Sequence, residues 1–492
     1  MTFTPTEEQA AIGSAYLRGE RLVVKALAGS GKTSTLRYLA ELTPRTGAVY
    51  IAYNKAIQTD AARSFPGNVL CRTAHALAFA EVGYRLADKL RRPRQRARDV
   101  ARILGIDCRV ITVNALGHAA AVDVPQLARL VLDTVARFCH SADYSLTLRH
   151  VPTVTGLGEE GQEDVAAQVV EWAREAWADL CAPHGVLRLD HDHYLKMWQL
   201  ARPVLATDVI YLDEAQDANP VIADVVGRQE HAQLILVGDQ HQQLYGWRGA
   251  RDAMSAFDGT RLSLTKSFRF GPAIAAQANE WLAALGSDLR VVGHDPIAST
   301  VGPVPLERAD AVLCRTNAGA IGQAIAAEDR GLRAAITGGA GDLAALARAA
   351  AELQDSGKTW HPEFAAFTSW SEVIEYATSE AASENLATLV NLIVTYGPDE
   401  ILRIVDALAA REDDADIVIS TGHKAKGREW PVVLIGPDFK PQPRRDPLSG
   451  KLVTPEMTDE ARMLAYVAVT RARHHLDPAG LDWARGSLGV LA

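Results

Sequence analysis

The segment 21–42 constrains this chain more than any other. A β-branched run, RLVVKAL, passes without a break into Ala28-Gly29-Ser30-Gly31-Lys32-Thr33, and STLRYLAEL follows with the spacing of a helix. A strand that turns on glycines into a helix N-terminus is the frame of a phosphate-binding loop. The glycines let backbone N–H groups close on phosphate oxygens, and the helix end adds partial positive charge. Lys32 is then expected to reach the β- and γ-phosphates and the Thr33 hydroxyl to ligate Mg²⁺. Ala28, Gly29, Ser30, Gly31 and Ser34 complete the lining. Ala26 stands where the full consensus has glycine.

Two sets of continuous apolar runs fit strands buried on both faces, hence parallel α/β sheets. The first set is RLVVKAL (from Arg21), GAVYIAY (from Gly47), VIYLDEA (from Val209) and LILVGD (from Leu234). The second is RLSLTKSF (from Arg261), AVLCRT (from Ala311), ADIVIST (from Ala415) and PVVLIG (from Pro431). Long Ala- and Leu-rich stretches lie between them and read as mainly helical. The expected division is a first sheet domain over 1–84 and 200–260 with a helical insertion at 85–199. A second sheet domain covers 261–324 and 413–492, with a helical insertion at 325–412. Each sheet should carry its functional residues beyond the C-terminal ends of its strands.

A phosphate loop needs a magnesium carboxylate and a means of activating water. Leu212-Asp213-Glu214-Ala215-Gln216-Asp217 follows the strand VIYL and supplies both. Asp213 can hold Mg²⁺, and Glu214 can orient and deprotonate the attacking water. Hydrolysis of a nucleoside triphosphate, with Mg²⁺ as a ligand, follows from the pair of motifs. The five cysteines form no CxxC pair, which suits a reducing cytoplasm and argues against zinc or iron–sulfur ligation. No apolar stretch of about 18 residues suggests a membrane span. The net charge of −9 neither supports nor excludes nucleic acid, because phosphate contact needs only a local basic surface.

Taken with these motifs, further segments make the chain resemble the UvrD/Rep/PcrA group of superfamily 1 DNA helicases, and within it the helicase part of the F-box DNA helicase family. The matching segments run from Thr4 to Arg473. The resemblance implies two RecA-like P-loop domains and gives roles to residues that spacing alone does not. Gln9 in TPTEEQAAI corresponds to the glutamine that reads adenine. In VGDQHQQLYGWRG, Gln242 corresponds to the γ-phosphate sensor, and Tyr245, Trp247 and Arg248 fall at the DNA, with Trp247 as a base platform. Read blandly, Tyr245 and Trp247 are core aromatics. SLTKSFRFG gives an arginine finger at Arg269 and an adenine-stacking aromatic at Phe268. LAYVAVTRAR gives a second finger at Arg471. Such arginines stabilise charge on the transferring phosphoryl when the domains close. In STGHKAKGREW, Glu429 corresponds to the ribose-binding carboxylate, and Thr421 and His423 lie near DNA.

The resemblance also implies single-stranded DNA and single/double-strand junctions as partners, 3′→5′ movement, and repair or recombination proteins as associates. Tyr53, Asn54, Thr73 and His75 occupy strand-contacting positions. Ala52 stands where better-known members have phenylalanine, and Tyr53 takes its stacking role. The alternative function is an ATP-gated DNA-binding switch, or a regulatory or defence-system subunit, with little unwinding. The second insertion is short for the group, which keeps that alternative open. The Gln9 motif begins almost at Met1, so no F-box and no ligase partnership are expected. About twenty residues follow Arg471, so no fused nuclease is expected.

Two clusters invite other readings. Asp190-His191-Asp192-His193 looks metal-like, yet no cysteine or further histidine cluster completes a site. The basic stretch 89–102, KLRRPRQRARDVAR, is either a solvated helix face or a phosphate contact.

Overall fold

The computed structural model describes residues 3–114, 117–154, 156–244, 253–361, 363–364, 367–378, 384–441, 444–445, 451–453 and 456–485. The chain divides into two compact units. One comprises 1–26 and 32–264, the other 27–31 and 265–492.

In the first unit the strands are β1 (Leu22–Ala26), β2 (Ala48–Ala52), β3 (Val69–Thr73), β4 (Val110–Val113), β5 (Ala119–Val122), β6 (Val209–Leu212), β7 (Gln233–Gly238) and β8 (Thr260–Leu264). Six of them form one sheet in the order β3-β2-β6-β7-β1-β8, every pair parallel. Alternation along the strands explains the continuous apolar runs. Val23, Val49, Ile51, Ile210 and Leu212 enter one core. Leu22, Val24, Tyr50, Val209 and Tyr211 enter the core on the opposite face. With both faces covered, the central positions of the inner strands are apolar or aromatic, and polar residues such as Lys25 and Gln233 fall where burial is incomplete. The first core continues into the insertion, where Val131 and Phe138 of the helix Val124–Cys139 meet Val169 of Glu159–Cys181 and Trp198 of His191–Leu200. β4 and β5 form a separate antiparallel hairpin.

The second unit contains β9 (Thr300–Val301), β10 (Ala311–Cys314), β11 (Ala334–Ile336), β12 (Ile417–Thr421), β13 (Trp430–Ile435), β14 (Arg444–Arg445), β15 (Leu452–Val453) and β16 (Ala472–Asp477). Its sheet runs β11-β12-β10-β13-β16-β9, again all parallel. Leu346, Leu353, Leu389 and Ile393 pack the helices of its insertion together.

Two expectations need correction. The run from Arg261, expected in the second sheet, is the first. Its strand, β8, instead pairs with β1 along five registered positions and closes the edge of the first sheet. A β-branched run says that a strand is buried, not which sheet buries it. The second insertion is expected to be mainly helical from residue 325, but β11 within it pairs with β12 inside the second sheet, and the next helix begins at Gly341.

The Asp190–His193 cluster is divided among separate tasks. Asp190 and His193 form a capping box at the start of the helix His191–Leu200, with His193 Nδ1 accepting the Asp190 N–H at 2.9 Å. Asp192 accepts from His75 and His140, and His191 Nδ1 meets the Tyr194 hydroxyl at 2.9 Å. Among the described residues no group of three or more His, Cys, Asp or Glu could hold a metal ion. Burial lowers the His193 pKa to about 4, against the opposing pull of Asp190 and Asp192. The folded value lies below the ordinary 6.5, so stability present above pH 6.5 is lost as pH falls towards 4. Allowing for the ring's partial exposure, the loss is about 2 kcal/mol. His193→Asn keeps an acceptor for the cap but cannot titrate. Urea unfolding at pH 7 and pH 4.5 is expected to show a smaller acid loss in this variant, and an equal loss in both proteins would refute the assignment.

The basic stretch is likewise divided. Lys89 is buried, and its ammonium donates to the carbonyls of Asp179, Leu180 and Ala182, closing the end of the helix Glu159–Cys181. Arg92 donates to the Gly185 carbonyl at 2.6 Å. Arg91, Arg94, Arg96, Arg98 and Arg102 remain exposed.

Candidate active site

Between β1 and α2 (Lys32–Leu42) the chain turns through 27–31. Gly29 and Gly31 hold φ of +71° and +79°, a left-handed conformation that glycine reaches without a Cβ clash. At Gly29 space imposes the same choice, since a Cβ would lie 2.5 Å from Ser267 Oγ and 2.8 Å from Arg269 Cβ. Ser30 Oγ is buried with no hydrogen-bond partner among the described residues, which suits a loop built to receive an anion. Ser34 is exposed in the first turn of α2.

The first unit gathers most of the sequence-derived hydrolytic residues. Lys32 Nζ lies 3.0 Å from Glu214 Oε1. Burial disfavours its charge, but Glu214, Asp239 and Asp213 outweigh that and raise its pKa, so it stays an ammonium. Thr33 Oγ1 donates to Asp213 Oδ2 at 3.1 Å. A hydroxyl and a buried carboxylate converging in this way form the hard oxygen pair that suits Mg²⁺. Burial and the adjacent Glu214 charge push the Asp213 carboxyl above its usual range, while Lys32 and Tyr50 pull it back. Glu214 itself sits at φ 50°, ψ 44°, one of two described non-glycine residues at positive φ. Such strain is held only where surroundings impose it; here the Asp213 carboxylate accepts the Glu214 N–H at 2.9 Å.

Gln216, given no role in the sequence reading, ties the two carboxylate motifs together. Its Nε2 donates to Glu214 Oε2 at 2.6 Å and Asp217 Oδ2 at 3.1 Å, and its Oε1 accepts the Asp239 N–H at 3.0 Å. Asp239 Oδ2 in turn accepts from Gln242 Nε2 at 2.8 Å. A chain of hydrogen bonds thus runs from Glu214 to Gln242. Gln9 is buried, with its carbonyl capping α1 (Glu7–Leu17) through the Thr6 N–H and its amide donating to Thr35 Oγ1 at 3.0 Å.

The strand-contacting candidates meet at the ends of β2 and β3, which are neighbours in register from Ala48↔Val69 to Ala52↔Thr73. Asn54 caps α3 (Lys55–Ser64) by accepting the Ile57 N–H, and Thr73 caps α4 (Ala74–Glu81) by accepting the Ala76 N–H. Two helix N-termini therefore start side by side. His75 Nε2 and His140 Nε2 lie 3.1 and 3.0 Å from the two oxygens of Asp192. Burial would raise that carboxyl, but the hydrogen bonds and charges of His140 and His75 together outweigh it and hold the group well below the usual range. A cavity of about 150 Å³ is lined by Tyr53, His75, His140 and Asp192 together with Asp213 and Glu214. Tyr245, Trp247 and Arg248 lie outside the described residues.

In the second unit Arg269 Nε meets Glu429 Oε2 at 2.7 Å, and Nη1 donates to the Thr470 carbonyl at 3.1 Å. The finger and the ribose carboxylate of the sequence reading are thus direct partners. Arg471 is buried, donating to the carbonyls of Val467 and Arg428 and to Thr470 Oγ1. Phe268 is exposed, with its ring 5.5 Å from that of His294. The Ala28 N–H donates to the hydroxyl of buried Tyr466 at 3.1 Å, a contact the sequence did not announce. Thr421 ends β12 and is buried, accepting the Lys424 N–H at 3.4 Å. Burial lowers the pKa of His423, with Glu460 opposing.

Residues 8–248 match the family model described as an AAA domain, and residues 343–477 match that of the UvrD-like helicase C-terminal domain. The F-box DNA helicase protein 1 of Schizosaccharomyces pombe is 31% identical over 96% of this chain and 57% of its own length. The F-box DNA helicase 1 of Gallus gallus is 30% identical over 95% of this chain and 48% of its own length. The chain therefore spans about half the length of these curated relatives. No described helix is long and apolar enough to cross a membrane.

Proposed function

The chain belongs to the UvrD-like helicases, and from that premise we propose that it is a DNA-stimulated ATPase that moves along single-stranded DNA and separates duplex. One observation carries the reading: a single cavity in the first unit is lined by strand-contacting candidates, Tyr53 and His75, and by the hydrolytic pair Asp213 and Glu214. A group bound there touches both chemistries at once.

In this reading Lys32 neutralises charge on the β- and γ-phosphates, and Glu214 takes the proton of the attacking water. A magnesium ion held by Thr33 and Asp213 would screen the phosphate oxygens. Gln242 reports the γ-phosphate, and the Gln216–Asp239 bridge keeps it in register with Glu214. Arg269 and Arg471 stabilise the transferring phosphoryl group. On the DNA side, the N-termini of α3 and α4 offer N–H groups to backbone phosphates, and Tyr53 offers a ring for stacking. The exposed arginines of the stretch 89–102 supply a local basic surface despite the acidic total. Movement in the 3′→5′ direction, a cytoplasmic place in DNA repair or recombination and association with proteins of those processes rest on the family likeness.

ATP turnover measured with and without a single-stranded oligonucleotide tests the motor. Stimulation by DNA is expected, with turnover lost in Lys32→Ala; a rate indifferent to DNA, or full turnover in that variant, would sink the reading. Strand displacement on 3′- and 5′-tailed duplexes then separates a helicase from an ATP-gated binding switch, which hydrolyses ATP without displacing a strand.

A further inference from the structure

We propose that Tyr50 is a positioning residue for the magnesium carboxylate, its hydroxyl fixing the orientation of Asp213. The proposal rests on the assignment of Thr33 and Asp213 as cation ligands.

Tyr50 lies in the middle of β2, an otherwise aliphatic strand, and is fully buried. Its hydroxyl donates to Asp213 Oδ2 at 2.5 Å, in the distance range of strong charge-assisted O–H···O⁻ bonds. The strand pairing fixes the reach. Tyr50 stands opposite Tyr211 in the parallel β2–β6 register, and Asp213 follows β6 directly. The length of one phenol ring carries the hydroxyl from the strand's middle to the carboxylate at its neighbour's end. The ring is buried in the core and packs on Phe65 with centroids 4.8 Å apart.

Asp213 is therefore held at three points: Oδ1 by the Glu214 N–H, and Oδ2 by Thr33 Oγ1 and Tyr50. The Thr33 hydroxyl belongs to the loop that must also engage nucleotide, and the Glu214 N–H belongs to a strained turn. The tyrosine alone is anchored in the sheet core. Outer partners that orient a ligating carboxylate typically carry a tenfold to hundredfold share of metal affinity or activity. A buried tyrosine needs some acceptor in any case, but the neighbouring Tyr211 finds its partner in the Tyr16 hydroxyl at 3.0 Å, which in turn meets Thr43 Oγ1 at 2.7 Å. Tyr50 is spent on the carboxylate instead.

The test uses the full chain with Tyr50→Phe, which removes one oxygen, and Tyr211→Phe as a control that loses a comparable buried hydroxyl away from Asp213. The Mg²⁺ concentration for half-maximal DNA-stimulated turnover is expected to rise about tenfold in Tyr50→Phe. A direct binding readout accompanies it: the gain in fluorescent mant-ADP affinity on replacing EDTA by Mg²⁺ should shrink by a similar factor, with the affinity in EDTA unchanged. Tyr211→Phe should match the parent in both. The proposal is overturned if Tyr50→Phe stays within about twofold of the parent while Asp213→Asn loses the Mg²⁺ effect. It is overturned equally if Tyr211→Phe reproduces the defect, which would make the role structural. Should Asp213→Asn also leave the Mg²⁺ effect intact, the cation assignment itself fails, and the proposal with it.

Discussion

Arg269→Ala is expected to lower kcat for DNA-stimulated ATP hydrolysis by about a thousandfold or more, with KM for ATP moving by less than about tenfold. The asymmetry follows from what an arginine finger does: it meets charge that develops on the transferring phosphoryl, so its loss appears in the transition state rather than in binding. The structure adds a reason to expect a large effect. Arg269 is held by Glu429 Oε2 at 2.7 Å and by the Thr470 carbonyl at 3.1 Å, so its guanidinium is pre-oriented. Lysine has no planar fork and cannot keep both contacts, so Arg269→Lys should recover little. Steady-state kinetics at saturating oligonucleotide separate kcat from KM, and a kcat loss below about tenfold would remove Arg269 from the catalytic set. Glu429→Gln gives the complementary pattern. It weakens the charge that orients Arg269 and the expected ribose contact together, so KM should rise as well.

Arg471 is a less clean probe of the same chemistry. Three internal acceptors surround its buried guanidinium, and truncation would leave buried carbonyls without donors. A loss of activity in Arg471→Ala would therefore mix folding with catalysis. Of the two candidate fingers, only Arg269 lets kinetics speak for mechanism.

What was legible in the sequence had short-range grammar. The loop Ala28–Thr33 and the run Asp213-Glu214 announce themselves because strand end, turn and ligand follow within a few residues, and the structure brings Lys32, Thr33, Asp213 and Glu214 together. Tyr50 was invisible for the opposite reason. The partner of Tyr50 lies 163 residues away, and nothing local distinguishes it from any other aromatic in a strand. The one available signal was that a tyrosine in an aliphatic, doubly buried strand must find an acceptor. The misplacement of β8 has a similar origin, since apolar runs record burial and leave sheet membership to long-range pairing. His140 joined the cavity only because the helix Val124–Cys139 ends beside Asp192, a proximity no spacing encodes. Gln9, Asn54 and Thr73 read as ligand contacts in the sequence, and each also caps a helix.

Glu214→Gln is expected to lower kcat by about 10²–10⁴ while ATP and DNA still bind. The change removes the base and little else. Glutamine keeps an oxygen for Lys32, now paired with Glu214 at 3.0 Å, and the backbone at φ 50° remains pinned by the Asp213 carboxylate and by the bond from the Asp217 N–H to the Glu214 carbonyl. One local conflict arises. Gln216 Nε2 donates to Glu214 Oε2, and a new amide group there would set donor against donor, at a cost of about 1 kcal/mol unless one amide turns. Turning Gln216 would aim its Nε2 at the Asp239 N–H, which its Oε1 now accepts. The bridge to Gln242 would then break, and DNA stimulation should fall further than basal turnover. Gln216→Ala separates the two effects: it leaves the base in place and cuts the bridge, so basal hydrolysis should survive better than its DNA response. Single-turnover hydrolysis with and without oligonucleotide reads both. If Glu214→Gln keeps kcat within about tenfold of the parent, another group activates the water, and the strained turn at residue 214 has a different purpose.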